Sequence, residues 1–327
     1  MSGLSQRRAY GLTLALDFPL RTRLPGSSDP LDLTIRLVEK PPLSGWERRN
    51  PTFVSPVRME DGRSTILLYR MGEVDVLSCT GVADFYVWED RIEFSPLDPA
   101  LGFAIEIFLL GIVLAYWLER RGSPMLHASA VAIEGRAVAF LATNRAGKSS
   151  LAATLMQVGH PLLTDDLLRL DVNETVAAYP GYPQMRMWPE VAEHFLDRFE
   201  DLDLVHPELT KRRVPVGRGG LGEFCDGTRP LGRIYLPTRR DAGDPSSAVE
   251  IRPVPPGQAL IELVRGSFLP RITQAAGFQE RRLGRLARLA RDVPMRELIY
   301  PSGLSSLPAV REAVLADLDG SRMPRSG

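Results

Sequence analysis

The chain has 327 residues, 44% of them hydrophobic, with 40 basic and 40 acidic side chains and no net formal charge. That length supports a large core and two domains, and the charge balance excludes a global electrostatic pull toward nucleic acid or anionic membrane. The only cysteines, Cys79 and Cys225, exclude a disulfide framework and a multi-cysteine zinc site and fit a reducing cytoplasm, and His127, His160, His194 and His206 show no ligand-like pairing with them.

The N-terminal "MSGLSQRRAYGLTLAL" lacks the small-residue cleavage site of a signal peptide. Residues 1–98 read as a β-rich accessory domain, with strands in "LTIRLVE", "STILLYR" and "VDVLSC" and a hairpin in "DFYVWEDRIEF" that turns at Glu89-Asp90. The aromatics Phe85, Tyr86 and Trp88 are expected to pack in the core or across strands rather than form a docking surface. Residues 99–122 form an apolar connecting helix; its run "LGFAIEIFLLGIVLAYWLE" approaches the length of a membrane span, but Glu106 lies inside it, so a buried helix between domains is expected.

A third segment, residues 123–320, opens with "MLHASAVAIEGRAVAFLA", two apolar runs joined at Glu134-Gly135 as a β-hairpin. A small polar loop follows, then a helix expected to place Leu151, Leu155 and Val158 on one packed face and to close at Gly159. The strand "PLLTDD" then runs toward the same sheet end as the loop. Further on, Arg281, Arg282, Arg285, Arg288 and Arg291 alternate with Leu283, Leu286 and Leu289, the pattern of a surface helix with packed leucines and solvated arginines. Residues 321–327 read as a frayed tail.

The chemistry gathers in the loop. From Ala142 it reads A-T-N-R-A-G-K-S, the Walker A spacing with alanine for the first glycine. Backbone N–H groups along Ala142, Thr143, Asn144, Arg145, Ala146, Gly147, Lys148, Ser149 and Ser150 can curl around phosphate at a helix N-terminus, although side chains at the Arg145 position commonly point to solvent. Lys148 would reach the outer phosphates and the Ser149 hydroxyl would ligate Mg²⁺. Asp165 and Asp166 stand 17 and 18 residues after Lys148. Consecutive strand residues point to opposite faces, so the two carboxylates should do different work: one holds Mg²⁺, the other accepts a proton from an incoming hydroxyl. On the strand before the loop lies His127, taken alone an ordinary core histidine.

The stretch "LHASAVAIEGRAVAFLATNRAGKSSLAATLMQVGHPLLTDD" resembles the kinase domain of bacterial HPr kinase/phosphorylase, and more closely its stand-alone relatives found beside peptide-modifying gene clusters. "YPGYPQMRMWP" and "PLGRIYLP" extend the similarity over roughly residues 100–320. The resemblance implies an α/β fold, an HPr-kinase/PEP-carboxykinase-like P-loop kinase core with a mixed sheet, beside the N-terminal β-rich domain. It also implies that Lys148 and Ser149 bind phosphate and metal, that Asp166 is the metal-side carboxylate, that Asp165 is the base, and that His127 orients Asp165. The downstream Glu-Ile-Arg-Gly segment of true HPr kinases is replaced by a strand carrying Arg186 without a glutamate, which argues against the phosphorylase reaction and against HPr as acceptor. The implied activity is a cytoplasmic kinase using ATP or another nucleoside triphosphate with Mg²⁺ on a peptide or small-protein serine, for example a lasso-peptide precursor, with no nucleic-acid or membrane partner and a homo-oligomer left open. Two alternatives stand beside it: a nucleotide-binding regulatory module without transfer, and a small-molecule kinase.

Overall fold

In the computed structural model, residues 4–142, 146–206, 209–240 and 248–320 are described. The chain is a mixed α/β protein that divides into two compact units, Met1–Met125 with Phe268–Leu283, and Leu126–Ser267 with Gly284–Gly327. The sequence reading makes residues 99–122 a connector of their own and leaves 268–283 with the kinase segment; in the structure both belong to the first unit.

The β-branched and aromatic residues of that unit build an eight-stranded sheet in the order Ser5–Ala9, Leu12–Leu16, Leu33–Leu37, Arg91–Pro96, Ala83–Val87, Val74–Cys79, Ile66–Met71 and Phe53–Val54. Leu33–Leu37 runs parallel to both its neighbours; the remaining pairs are antiparallel. Phe85 and Tyr86 are fully buried in it.

The apolar segment forms the helix Gly102–Phe108, a π-helical turn Leu109–Val113 and the helix Leu114–Arg120. By length and composition Pro99–Arg120 could cross a membrane, yet 61% of its apolar window is buried inside the protein. Its one interior charge is matched as well. The Glu106 carboxylate accepts the backbone N–H of Arg21 at 2.6 Å and of Thr22 at 3.1 Å, together with the Thr22 hydroxyl. Burial with a paired carboxylate is the pattern of a core helix.

Near the end of this segment, Glu119 is 2% exposed and accepts both the Met125 N–H at 2.9 Å and Arg282 Nε, the latter at 3.0 and 3.1 Å from its two oxygens. This corrects the expected solvated arginine stripe of the helix Gln279–Asp292. Leu286 and Leu289 are fully buried, but Leu283 is exposed and Arg282 is buried, because a carboxylate removed from water requires a cation. Replacing Arg282 with methionine strands that carboxylate and is expected to cost about 3–5 kcal/mol in urea unfolding, whereas Glu119→Leu combined with Arg282→Met should recover most of the loss. A double variant no more stable than the single one would contradict this pairing.

The second unit is organised by a nine-stranded mixed sheet. Glu134 and Gly135 both take positive φ, 49° and 78°, as a two-residue hairpin turn requires, and join Ala128–Ile133 to Arg136–Leu141. Leu162–Thr164 pairs antiparallel with the first of these strands, Arg229–Arg239 pairs parallel with the second, and Met295–Tyr300 pairs parallel with Arg229–Arg239. Alternate residues feed separate cores: Ala128, Ala130, Ala139 and Leu141 pack with Leu263, Leu286 and Leu289, and Val131, Val138 and Phe140 pack with Leu151, Leu155, Val310 and Val314. Burial on both faces explains why these strands are apolar throughout.

The helix after the loop, Lys148–Met156, differs from its expected amphipathic form. Residues Ser150 to Met156 are all buried, because the helix packs against both the sheet and the helix Leu307–Gly320, and Val158, beyond its end, is 45% exposed. Gly159 has φ 92°, in the left-handed region expected at the chain reversal.

Candidate functional site

Strand directions bring three sequence-distant segments to one sheet edge. The hairpin pairs Ala128 with Leu141, so the start of the first strand, carrying His127, lies beside the end of the second, where the loop begins. Leu162–Thr164 points the same way as the loop strand with Ala128–Ile133 between them, which delivers Asp165 and Asp166 to that edge from one strand farther off than adjacency would place them.

Within the loop, Ala142, Ala146 and Gly147 are described; Thr143, Asn144 and Arg145 lie outside the described residues. Gly147 takes φ 88°, a conformation that disfavours side chains, and a Cβ there would lie 2.5 Å from Arg239 Nη2 and 3.1 Å from the Tyr300 hydroxyl, so the arginine end would have to shift. Lys148 opens the helix, is 7% exposed, and donates from Nζ to the Ala142 carbonyl at 2.9 Å. Burial pushes its pKa down, as does Lys211, against opposing pulls from Asp166 and Asp165.

The twin carboxylates are separated by a backbone device that alternation along a strand does not describe. Leu167 N–H donates to the Asp165 carbonyl at 2.9 Å while Asp166 takes φ 74°, so Asp166 is the centre of a γ-turn with positive φ. The Thr164 hydroxyl donates to the Leu167 carbonyl at 2.6 Å and braces the turn. Gly181 passes close by: a Cβ there would lie 2.3 Å from Thr164 Oγ1, which accounts for the glycine in "YPGYP".

Asp165 Oδ1 accepts the Ser149 hydroxyl at 2.8 Å and the Ser129 hydroxyl at 2.5 Å, and Oδ2 accepts the Arg186 N–H at 2.9 Å. Asp166 meets the side chain of that same arginine, and a histidine in place of the serines. Arg186 Nη1 lies 3.1 Å from its Oδ2, and His127 Nδ1 lies 3.3 Å from its Oδ1 and 2.9 Å from its carbonyl oxygen. The expectation that His127 orients Asp165 is therefore corrected: the histidine contacts Asp166, and Asp165 contacts the loop serine. The γ-turn is the reason, since it turns the second carboxylate toward the strand that carries His127.

Burial alone would raise the Asp166 pKa, but Arg186, His127, Lys211 and Lys148 outweigh it and hold the carboxyl below its ordinary range. Its charge thus stabilises the fold above the unfolded-state value of about 3.9, and that contribution is lost as pH falls through the lower folded value.

Of these residues, His127, Gly147, Lys148, Ser149, Asp166 and Arg186 border a cleft of about 510 Å³, while Asp165 and Ser129 lie outside its lining. Lys148, Arg186, Lys211 and Arg239 face it against the carboxylates of Asp166 and Glu190, an excess of cations suited to a polyanion. Lys211 comes from a separate three-stranded sheet, Gln184–Met187, Leu209–Pro215 and Leu204–His206, and its Nζ lies 5.2 Å from the centre of the Trp188 ring, which also lines the cleft. Ser129, Lys211, Arg239 and Tyr300 carry no motif that singles them out in sequence; only the sheet arrangement brings them to the loop.

No protein-family model matches the chain, and no curated protein matches it. Among solved structures it is similar to the Hpr(Ser) kinase/phosphatase from Coxiella burnetii, at 11% identity and a TM-score of 0.29, over 60% of this chain and 98% of that one. That likeness is too distant to carry an activity across.

In Arg186→Gln the Asp166 carboxyl is expected to titrate at higher pH than in the parent protein, followed by carboxyl-carbon NMR, and the stability it confers should disappear at correspondingly higher pH. An unmoved titration would show that Arg186 is not the main cation holding it charged.

Proposed function

We propose that the chain is a nucleotide- and Mg²⁺-dependent phosphotransferase that moves a terminal phosphoryl group to a hydroxyl, with serine on a peptide or small protein as the favoured acceptor. The observation carrying this reading is the meeting, in one cationic cleft, of the buried Lys148 ammonium, the Ser149 hydroxyl and the His127–Asp166 pair, with the buried Asp165 bonded to Ser149 just outside the cleft lining. The sequence resemblance to HPr-kinase-like proteins points the same way.

The residues fit Mg-nucleotide. A side-chain-free position at Gly147, a lysine at the first turn of a helix and a hydroxyl already bonded to a carboxylate form the donor set expected around phosphates and a hard cation. Among the described residues no three His, Cys, Asp or Glu side chains gather into a metal site. A cation here would accordingly take much of its coordination from phosphate and water, as Mg²⁺ does. Bound there, Mg-nucleotide would supply an electrophilic terminal phosphoryl group with part of its charge neutralised.

The contacts favour exchanging the carboxylate roles read from sequence. Asp165, bonded to Ser149, suits the metal side. Asp166, lining the cleft and held between His127 and Arg186, suits the acceptor side, where it would orient the incoming hydroxyl and take its proton late in transfer. A carboxylate kept charged is a weak base, but a loose transition state asks chiefly for positioning. His127 and Arg186 would then act through Asp166 by fixing its orientation.

Two measurements test this. Calorimetry with Mg-ATP should show Lys148→Met losing at least about 100-fold in affinity while its unfolding free energy changes by less than about 1 kcal/mol, because the removed ammonium is a buried, desolvated charge. In transfer assays, Asp165→Asn should raise the Mg²⁺ requirement at least about tenfold, whereas Asp166→Asn should leave Mg-ATP affinity within about threefold and cut turnover by about 10²–10³. The opposite pattern would return the base to Asp165, and a parent protein that takes up no Mg-nucleotide would end the kinase reading.

A further inference from the structure

The strand Arg229–Arg239 outruns the loop strand beside it. Tyr235 pairs with Phe140, one residue before the loop strand ends at Leu141, and the longer strand continues for four further residues to Arg239. At about 3.3 Å per residue this carries the arginine about 13 Å past the last registered pair. The overhang is supported on its other side: Arg239 is registered with Tyr300 in the parallel strand Met295–Tyr300.

Side-chain contacts agree with the backbone. The Arg239 guanidinium stands where a side chain on Gly147 would be, and the Tyr300 hydroxyl shares that space while donating to the Ala146 carbonyl at 3.4 Å. Tyr300 is 2% exposed with its hydroxyl beside the Arg239 guanidinium at Gly147, whereas Arg239 itself is exposed on the cleft that Lys148, Ser149 and Asp166 also line. A buried tyrosine thus anchors a solvent-accessible guanidinium at the mouth of the phosphate cradle. Among the described residues, none of the contacts at Asp165 or Asp166 uses Arg239.

We propose that Arg239 is a catalytic residue of the transfer, an arginine supplied from the same chain that contacts the terminal phosphoryl group as its charge redistributes, and that Tyr300 is the positioning residue that holds it over the loop. The inference rests on the phosphotransferase reading. In the step it assists, a bond forms between the acceptor oxygen and the terminal phosphorus, and the bond from that phosphorus to the bridging oxygen breaks. The bonding pair leaves with the nucleoside diphosphate, and the acceptor proton passes to the Asp166 carboxylate. A planar guanidinium can bridge two oxygens across the breaking bond, a geometry that a lysine ammonium does not reproduce.

Because the acceptor is unidentified, the test uses Mg-ADP alone and Mg-ADP with fluoroaluminate, which mimics the transferring phosphoryl group. Calorimetry should give Mg-ADP affinities within about threefold for the parent, Arg239→Ala, Arg239→Lys and Tyr300→Phe proteins. Fluoroaluminate should tighten Mg-ADP binding by at least about 100-fold in the parent, by less than about threefold in Arg239→Ala and Arg239→Lys, and to an intermediate degree in Tyr300→Phe, in line with the effect of such arginines on phosphoryl transfer. Equal tightening in the parent and Arg239→Ala overturns the assignment while leaving the phosphotransferase reading in place. A parent protein that binds Mg-ADP but gains nothing from fluoroaluminate also overturns it, and one that binds no Mg-ADP removes the underlying reading as well.

Discussion

A single backbone constraint distributes the chemistry of the cleft: the γ-turn at Asp165–Leu167, in which Asp166 is held at φ 74°. A non-glycine residue in that region carries a conformational cost of about 1–3 kcal/mol, so surrounding contacts must hold it there. The Thr164 hydroxyl braces the turn through the Leu167 carbonyl, Gly181 leaves room for that hydroxyl, and Arg186 and His127 hold the Asp166 carboxylate. Two adjacent carboxylates thereby acquire different side-chain partners, the Ser149 and Ser129 hydroxyls for one and the His127 imidazole and Arg186 guanidinium for the other, while the Arg186 backbone N–H bonds the first. Without the turn, alternation along the strand would send one of them to the far face of the sheet.

The remaining site follows from strand direction. Three parallel strands, Arg136–Leu141, Arg229–Arg239 and Met295–Tyr300, end at the same edge, where the loop, Arg239 and Tyr300 are found. Ligands of open α/β sheets commonly bind beyond such carboxyl ends. The inserted hairpin strand runs the other way and so contributes its beginning, His127 and Ser129, to that edge. Lys148 carries a different cost in the protein alone: burial takes its ammonium out of water and pushes its pKa down, with Lys211 adding to the effect. A bound polyanion would relieve it.

The parts of this arrangement carried by local patterns were legible in the sequence. Glu134-Gly135 announces its hairpin, the A-T-N-R-A-G-K-S spacing announces a loop between strand and helix, and "LLTDD" announces a strand ending in acids. What depends on neighbours distant in sequence was not. Strand alternation separates Asp165 from Asp166 but does not say which meets Ser149, because positive φ at an aspartate has no compulsory residue signature. The alternating pattern of the Arg281–Arg291 helix suggested solvated arginines, and only the buried carboxylate of Glu119, remote in sequence, reveals why Arg282 is enclosed. Lys211 and Arg239 sit in ordinary basic stretches, and pairing between strands alone brings them to the cleft.

The division of labour between the two carboxylates is tested most directly by crystals of the protein with Mn²⁺ and a non-hydrolysable ATP analogue, the metal being located by its anomalous scattering. A peak is expected within coordination distance of Ser149 Oγ and Asp165 Oδ1, with Asp166 still against His127 and outside the coordination sphere. A metal bound by Asp166, or an anomalous peak away from the cleft, would contradict it.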